Sequence, residues 1–182
     1  PPTAAITVAG APALLLNTSG TLNTDIVTDT LVFNETGDSN TATGYFALMN
    51  NITGGSNTAI GSEALTANIG GVNNVALGTL SLSSNTSGEN NTAIGNQALE
   101  SNVTTSDHVA IGKMAGSGIT TVDNNIIICH HSGVHSFFVQ VSNRRIIDNI
   151  SCAPVSASTA ALVMFVSDGQ LGTLTIAAPR SP

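Results

Sequence analysis

Apolar and polar residues along this chain recur at every seventeenth position between Asn40 and Ile128. A segment of the type Asn-Thr-Ala-Ile-Gly returns without insertion or deletion, beginning at Asn40, Asn57, Asn74, Asn91, His108 and Asn125. A degenerate copy precedes it at Asn23. Self-similarity at a fixed period indicates a stacked array of structural units rather than one globular fold.

Each repeat places two β-branched or aliphatic residues on either side of an alanine. The first column is Thr41, Thr58, Val75, Thr92, Val109 and Ile126, and the second is Thr43, Ile60, Leu77, Ile94, Ile111 and Ile128. Residues two apart share one face of a strand, and these residue types favour strands. We therefore expect the second column, from Ile60 to Ile111, to stack in one buried row at steps of ~4.8 Å. Exposed side chains in this row would argue against a β-roll.

Two further columns define the rest of the coil. The alanines from Ala42 to Ala110 predict a crowded face that is limited by space. A leucine that recurs from Leu48 to Leu99 predicts a second short strand. The neighbouring column is Tyr45, Ser62, Thr79, Asn96 and Lys113. It tolerates many polar side chains, so we expect it to face water.

Two columns of glycine, from Gly44 to Gly112 and from Gly37 to Gly88, mark the corners of the coil. Glycine permits positive φ and a close approach of backbones. The recurrent asparagines can form ladders of side-chain amides from coil to coil. Two corners in every coil leave no ten-residue run of helical periodicity. The sequence thus predicts an all-β protein, a parallel β-roll or solenoid with 17-residue coils that rise ~4.8 Å each.

The array divides the chain into three predicted parts: residues 1–33, 34–128 and 129–182. The first part is an extended segment and the degenerate coil, and the segment is expected to pair with the first coil or with a neighbouring subunit. In the last part, two apolar runs flank Asp168-Gly169, which predicts a β-hairpin. We expect this part to form a β cap, because the end of a solenoid exposes unpaired backbone groups.

Composition excludes several classes of protein. Charged residues are 8% of the chain, and four Lys+Arg against eleven Asp+Glu give a net charge of −7, which argues against nucleic-acid binding. A hydrophobic content of 41% argues against disorder. No apolar run reaches the ~20 residues of a membrane helix, so no membrane insertion is expected. Because the chain begins at Pro1 rather than Met, we interpret it as a processed product.

Seven asparagines lie in N-x-Ser/Thr sequons: Asn17, Asn34, Asn51, Asn85, Asn90, Asn102 and Asn149. Most of them share one column. One interpretation is that Asn-x-Thr-Gly is turn chemistry copied by duplication. The other is N-glycosylation along one exposed edge of a secreted fibre. The sequence leaves both interpretations open.

No residue set predicts a metal site, a cofactor or an active site. Histidines occur at His108, His130, His131 and His135. His108 replaces an asparagine of the repeat, and no carboxylate lies near the other three to orient a metal ligand. Cys129 and Cys152 could form a disulfide or remain thiols. The acids are scattered on turns, and no Ser/His/Asp set has the context of a catalytic motif, so we predict no enzyme.

The repeat unit with its following Ala-Leu pair resembles the head repeats of trimeric autotransporter adhesins. It is more similar to arrays in tail-fibre-like proteins that precede an endosialidase-type intramolecular chaperone. In those proteins a segment like Ser-Asp-Gly-Gln-Leu-Gly-Thr at residues 167–173 leads into the chaperone, and their linker after the last repeat is similar to Ile128–Gly133. The resemblance covers about residues 17–175. Adhesin heads typically repeat with a shorter period.

This resemblance implies a homotrimer of left-handed parallel β-rolls, packed side by side in an extracellular fibre or an adhesive structure on a cell or virion. We therefore expect a secreted structural protein whose partners are its own copies, in a trimer and end to end. The alternative is an adhesin or receptor-binding head that holds a glycan or a protein. Only Tyr45 and Phe46 offer aromatic side chains for such a head.

Overall fold

The computed structural model describes residues 14–128 and 142–143, together with the backbones of short strands at residues 6–8, 145–147, 162–165 and 171–174. These residues form eleven strands and no helix. The described part of the chain therefore has no helix long and apolar enough to cross a membrane. Two units are distinguished, Pro1–Asp148 and Asn149–Pro182.

The first unit is a parallel β-solenoid. Its strands are β1 (Ile6–Val8), β2 (Thr24–Ile26), β3 (Thr41–Thr43), β4 (Thr58–Ile60), β5 (Val75–Leu77), β6 (Thr92–Ile94), β7 (Val109–Ile111), β8 (Ile126–Ile128) and β9 (Arg145–Ile147). They form one sheet in chain order, and every pair is parallel. Each strand therefore belongs to one coil, and successive coils stack on one another.

The predicted 17-residue register is confirmed from β2 to β8. Thr58 pairs with Val75, Ala59 with Ala76 and Ile60 with Leu77, and the same pairing repeats along this part of the sheet. The sheet also continues beyond the sequence repeat at both ends. Ile6 of β1 pairs with Thr24 of β2, and Ile126 of β8 pairs with Arg145 of β9, so both end coils are slightly longer than the repeat. The sheet thus tolerates longer coils at its ends, and β9 is the last strand of the sheet.

The alanine at the centre of each strand points into the coil. All alanines of this column are fully buried, and Ile127 takes the same place in β8. The prediction that the row from Ile60 to Ile111 is buried is wrong, because Ile60 is 40% exposed and Leu77 42%. The row does stack in register, and the hydrogen-bonded pairing establishes the solenoid despite that exposure. The alternation of side chains along a strand does not itself show which face points inwards. From β3 to β7 the inward face is the one that carries the small alanine.

The leucine column stacks in the core, but the second predicted strand does not exist. Leu48, Leu65, Leu82 and Leu99 are fully buried and lie in turns, with φ between 49° and 52°. Their backbone N–H groups still donate to the next coil, as from Leu48 to the Ala64 carbonyl oxygen at 3.0 Å. Left-handed backbone is unusual for leucine, so the apolar column on its own indicates a strand rather than a turn.

The first glycine column turns the chain at the end of each strand. Gly61 has a φ of 136°, and the other members of its column, from Gly44 to Gly112, are similar. A Cβ on Gly61 would lie 2.6 Å from the carbonyl carbon of Gly78 in the next coil. Both the left-handed backbone and the close approach of coils therefore require glycine here.

The second unit contains a β-hairpin. Its strands β10 (Leu162–Phe165) and β11 (Leu171–Leu174) are antiparallel, and Phe165 pairs with Leu171. This confirms the hairpin predicted around Asp168-Gly169. The expectation that it caps the last coil stays a prediction.

Space inside the coil should limit the alanine column. Ala76 is fully buried in the middle of the array, whereas Thr79 is exposed on the neighbouring turn. We expect Ala76→Leu to overpack the coil and to lower the free energy of unfolding by about 1–3 kcal/mol per subunit. Thr79→Leu should change it by no more than about 0.5 kcal/mol. Thermal melts of both variants test this, and greater damage from Thr79→Leu would mean that inside and outside are wrongly assigned.

Candidate functional site

Buried asparagines form a continuous amide ladder after the leucine turns. In this turn ladder each side-chain Nδ2 donates to the Oδ1 of the asparagine one coil earlier. The distances are 2.8 Å for Asn34 to Asn17, 2.7 Å for Asn51 to Asn34, 2.7 Å for Asn68 to Asn51, 3.0 Å for Asn85 to Asn68 and 3.1 Å for Asn102 to Asn85. The prediction that asparagines ladder from coil to coil is confirmed.

A second column of buried asparagines precedes the strands and forms the strand ladder. Here the side-chain oxygen accepts from the backbone of the next coil, as Asn40 Oδ1 does from the Asn57 N–H at 3.0 Å. The amide of Asn57 donates to the Gly71 carbonyl oxygen at 2.8 Å, and the turn-ladder amide of Asn68 donates to the same oxygen at 3.0 Å. The two ladders therefore meet at one carbonyl oxygen in each of these coils, that of Gly37, Gly54, Gly71, Gly88 or Thr105.

Close packing explains why this second column is glycine. A Cβ on Gly71 would lie 2.5 Å from Asn68 Oδ1, 2.5 Å from the Gly88 carbonyl oxygen and 2.8 Å from Asn85 Nδ2. Real Cβ atoms do not approach other atoms so closely. Within the turn ladder a side chain at this position would therefore collide with the asparagine amides. Thr105 takes the equivalent position in the last coil of the ladder, where Ile119 replaces the next asparagine.

Most sequons belong to this buried network. Asn34, Asn51, Asn85 and Asn102 are fully buried turn-ladder residues. A glycan on any of these amides would replace ladder hydrogen bonds and would have no room, so the fold supports the turn-chemistry interpretation at these four positions. Asn17 is the partly buried first member of the ladder, Asn90 is an exposed sequon, and Asn149 lies outside the described residues.

His108 takes the place of an asparagine in the strand ladder. Its Nδ1 accepts from the Asn125 N–H at 3.2 Å, so the neutral ring carries its proton on Nε2. Nε2 lies 3.0 Å from Thr105 Oγ1, whose hydroxyl donates to Asn102 Oδ1. Burial lowers the pKa of His108 below its ordinary value. The carboxylate of Asp123, a hydrogen bond with the Val122 backbone and the carboxylate of Asp107 raise the pKa, but burial is the largest effect. The ladder requires a neutral ring, because only an unprotonated Nδ1 can accept from the Asn125 N–H.

The remaining histidines and both cysteines, His130, His131, His135, Cys129 and Cys152, lie outside the described residues. Within residues 14–128 no cluster of three or more His, Cys, Asp or Glu side chains could hold a metal ion. His108 therefore has a structural place in the ladder, and the disulfide stays a prediction.

Asp25 is a residue of interest that sequence reasoning passed over. It occupies the alanine column in β2, is 0% exposed, and neither carboxyl oxygen has a hydrogen-bond partner among the described residues. Burial raises the pKa of this carboxyl to about 7. The signal was present in the sequence, since the degenerate copy reads Asn23-Thr24-Asp25-Ile26-Val27 where later copies have alanine and glycine.

The outer face of the sheet carries an exposed aliphatic stripe. The strand face stripe consists of the outward side chains Ile60, Val75, Leu77, Ile111 and Ile128, which are between 36% and 42% exposed. Ile94 and Val109 are half-buried in the same columns. Nearer the N-terminus the equivalent positions are threonine in β3. The stripe follows the sheet for several coils.

An aromatic pair lies on the turn after β3. The rings of Tyr45 and Phe46 stack with centroids 3.8 Å apart and planes inclined by 28°, and Tyr45 is 48% exposed. In the next coil these positions are Ser62 and Glu63, and the Glu63 N–H donates to the Tyr45 carbonyl oxygen at 2.8 Å. The pair is thus a local feature of one coil on the column that was predicted to face water.

No protein-family model, no curated protein and no solved structure matches this chain. The function of the chain is therefore inferred from its own residues and from the resemblance of the repeat unit.

Breaking the turn ladder should destabilise the fold. Asn68→Ala leaves Asn51 Oδ1 without its donor and removes the acceptor of Asn85 Nδ2. Each orphaned buried group costs about 1–3 kcal/mol, so we expect a loss of at least about 2 kcal/mol in the free energy of unfolding. The control is Asn96→Ala, an exposed asparagine with ordinary backbone whose amide donates to the Thr79 carbonyl oxygen at 3.1 Å. Its effect should stay within about 0.5 kcal/mol. Equal losses in denaturant titrations would refute the structural role of the ladder.

Protonation of His108 should weaken the last coils at acid pH. Because the folded-state pKa lies below the ordinary value of 6.5, its contribution to stability is complete above pH 6.5 and is lost as the pH falls towards the folded-state pKa. A charged ring cannot accept from the Asn125 N–H. We expect the melting temperature to fall between pH 7.5 and 5 by more in the wild type than in His108→Asn, which restores the ladder residue. An identical pH dependence in both proteins would contradict this.

Proposed function

We propose that this chain is a non-enzymatic structural protein, a segment of a secreted homotrimeric fibre. The observation that carries the proposal is the strand face stripe. Aliphatic side chains that are more than a third exposed in β4, β5, β7 and β8 favour association, because an extended apolar surface in water is unfavourable. The strand face stripe of a second copy suits this surface, because the coils of both copies have the same spacing.

Three observations are consistent with a role as a rod. The coils stack without a change of period from β2 to β8, so the unit extends by repetition. The ladders hold the coils together by hydrogen bonds that need no large apolar core. A narrow coil of this kind buries little apolar area alone, which gives oligomerisation a reason. The trimer, its left-handed coils and its extracellular location follow from the resemblance of the repeat unit.

Oligomeric state is the first test. Light scattering of the wild type under native conditions should give three times the 18.3 kDa mass of one chain. Leu77→Glu places a carboxylate in the centre of the strand face stripe and should shift the mass to that of a monomer. Thr79→Glu adds the same charge two residues later on the exposed turn, and this control should remain trimeric. A monodisperse wild-type monomer would refute the trimer.

The alternative is an adhesin or receptor-binding head, and the exposed Tyr45–Phe46 pair favours it. An aromatic face with flanking polar groups suits a sugar ring or a protein side chain. A panel of immobilised oligosaccharides, probed with the wild type and with Tyr45→Ser, tests this function. Serine already occupies the equivalent position in the next coil, so the fold should be unchanged. Loss of binding in Tyr45→Ser would support a receptor-binding head. Absence of binding by the wild type would favour the fibre segment. Negative-stain images would then show filaments rather than isolated heads.

A further inference from the structure

The coil that contains β2 differs from the coils above it at the centre of its strand. Asp25 replaces the alanine found in the five following strands, from Ala42 to Ala110. Its side chain is fully buried, and both carboxyl oxygens are without a partner in the described part of the chain. A buried polar group without hydrogen bonds destabilises the element that holds it, and an ionised one does so far more.

The same coil carries a second, independent misfit. Val27 has a φ of 106° at the position where the following coils have glycine with φ from 131° to 136°. A β-branched residue rarely adopts such a conformation and is strained there. Val27 is also 38% exposed, so little packing offsets the strain. Two unfavourable residues thus fall within three positions of one strand and its turn.

No charged partner is available to the Asp25 carboxyl among the described residues. In the sheet it pairs with Thr7 on one side and Ala42 on the other. The other buried side chains of its own coil are uncharged: Asn23, Thr30, Leu31, Val32 and Asn34. Three acids lie in this region. Glu35 is exposed, and Asp29 is half-buried on the following turn. Asp38 is exposed, and its carboxylate accepts from the N–H and the hydroxyl of Thr21.

We propose that the β2 coil, residues 18–34, is a proton-controlled latch near the N-terminal end of the solenoid, closed while Asp25 is protonated and released, together with β1, when it is ionised. The coils of β3 to β8 lack this control because alanine, or Ile127 in β8, fills the same position. The latch is a property of the single chain and does not depend on the proposed fibre function.

The direction of the pH effect follows from burial. The pKa of Asp25 is raised to about 7 in the folded coil from an ordinary value of 3.8. Closure is therefore most favourable below pH 3.8 and is weakened as the pH rises to about 7, beyond which it changes no further. Between pH 5 and pH 8.5 the closing equilibrium should fall about a hundredfold, because two pH units separate pH 5 from the folded-state pKa.

Release of the latch would expose the edge of β3. In the closed coil the Thr24 N–H donates to the Asn40 carbonyl oxygen at 2.7 Å. The Asn40 N–H in turn donates to Asn23 Oδ1 at 2.9 Å. Opening frees these groups of Asn40 and the backbone of β3. An unpaired strand edge is a surface on which another strand can add.

Hydrogen–deuterium exchange of the full chain tests the latch. Protection factors of residues 18–34, corrected for intrinsic exchange at each pH, should fall at least tenfold from pH 5 to pH 8.5. Residues 57–107 should keep their protection and serve as an internal reference for folding. Unchanged protection of residues 18–34 across this pH range would overturn the proposal.

Three variants separate charge from strain. Asp25→Ala installs the residue of the following coils and should remove the pH dependence while raising protection at pH 8.5. Asp25→Asn keeps the shape without titration and should also be independent of pH. Val27→Gly relieves strain alone, so it should raise protection equally at both pH values and retain the pH dependence. A pH dependence that persists in Asp25→Ala would overturn the proposal.

Discussion

The solenoid depends on the pair of hydrogen bonds that two asparagine amides donate to one carbonyl oxygen in the turn, usually that of a glycine. In one coil the Gly71 carbonyl oxygen receives the amides of Asn57 and Asn68, which belong to different ladders and different sides of the turn. This fixes where the chain leaves the leucine turn and where it enters the next strand. Buried amides are tolerable because almost every donor has an acceptor one coil away. The fold is therefore held by a polar network with a thin apolar core of alanine and leucine.

The architecture could be predicted from the sequence because its constraint is repetition. A constant spacing between equivalent residues gives the stacking, the register and the ladders without knowledge of the conformation within a coil. What the pattern could not give was the direction of side chains. Aliphatic residues on both sides of Ala76 suggest a buried row, yet the narrow interior admits alanine and leaves Leu77 outside. Leucine at positive φ was likewise unpredictable, since local preference disfavours it and only the turn geometry demands it.

The residues that depart from the columns are the most informative for function. His108 keeps the strand ladder continuous, because its Nδ1 accepts from the Asn125 N–H in place of an asparagine oxygen. The network tolerates this residue while the imidazole ring is neutral. Asp25 and Val27 fit neither their columns nor their surroundings, which makes the β2 coil the irregular member of the array. The strand face stripe departs from an ordinary surface in another way, by presenting aliphatic groups to water. Regular coils, an apolar sheet face and one irregular coil are the features on which the proposed assembly into a fibre depends.

The central claim is that the regularly repeating columns of hydrogen-bonded residues hold the coils in register. Deletion of residues 61–77 removes one whole coil and joins Ile60 to Gly78, so every column continues across the junction. Deletion of residues 61–76 removes one residue fewer and shifts every later column by one position. Circular dichroism with thermal unfolding should show a native-like, cooperatively melting protein for the first deletion and loss of the cooperative transition for the second. Equal stability of the two deletion proteins would contradict the claim.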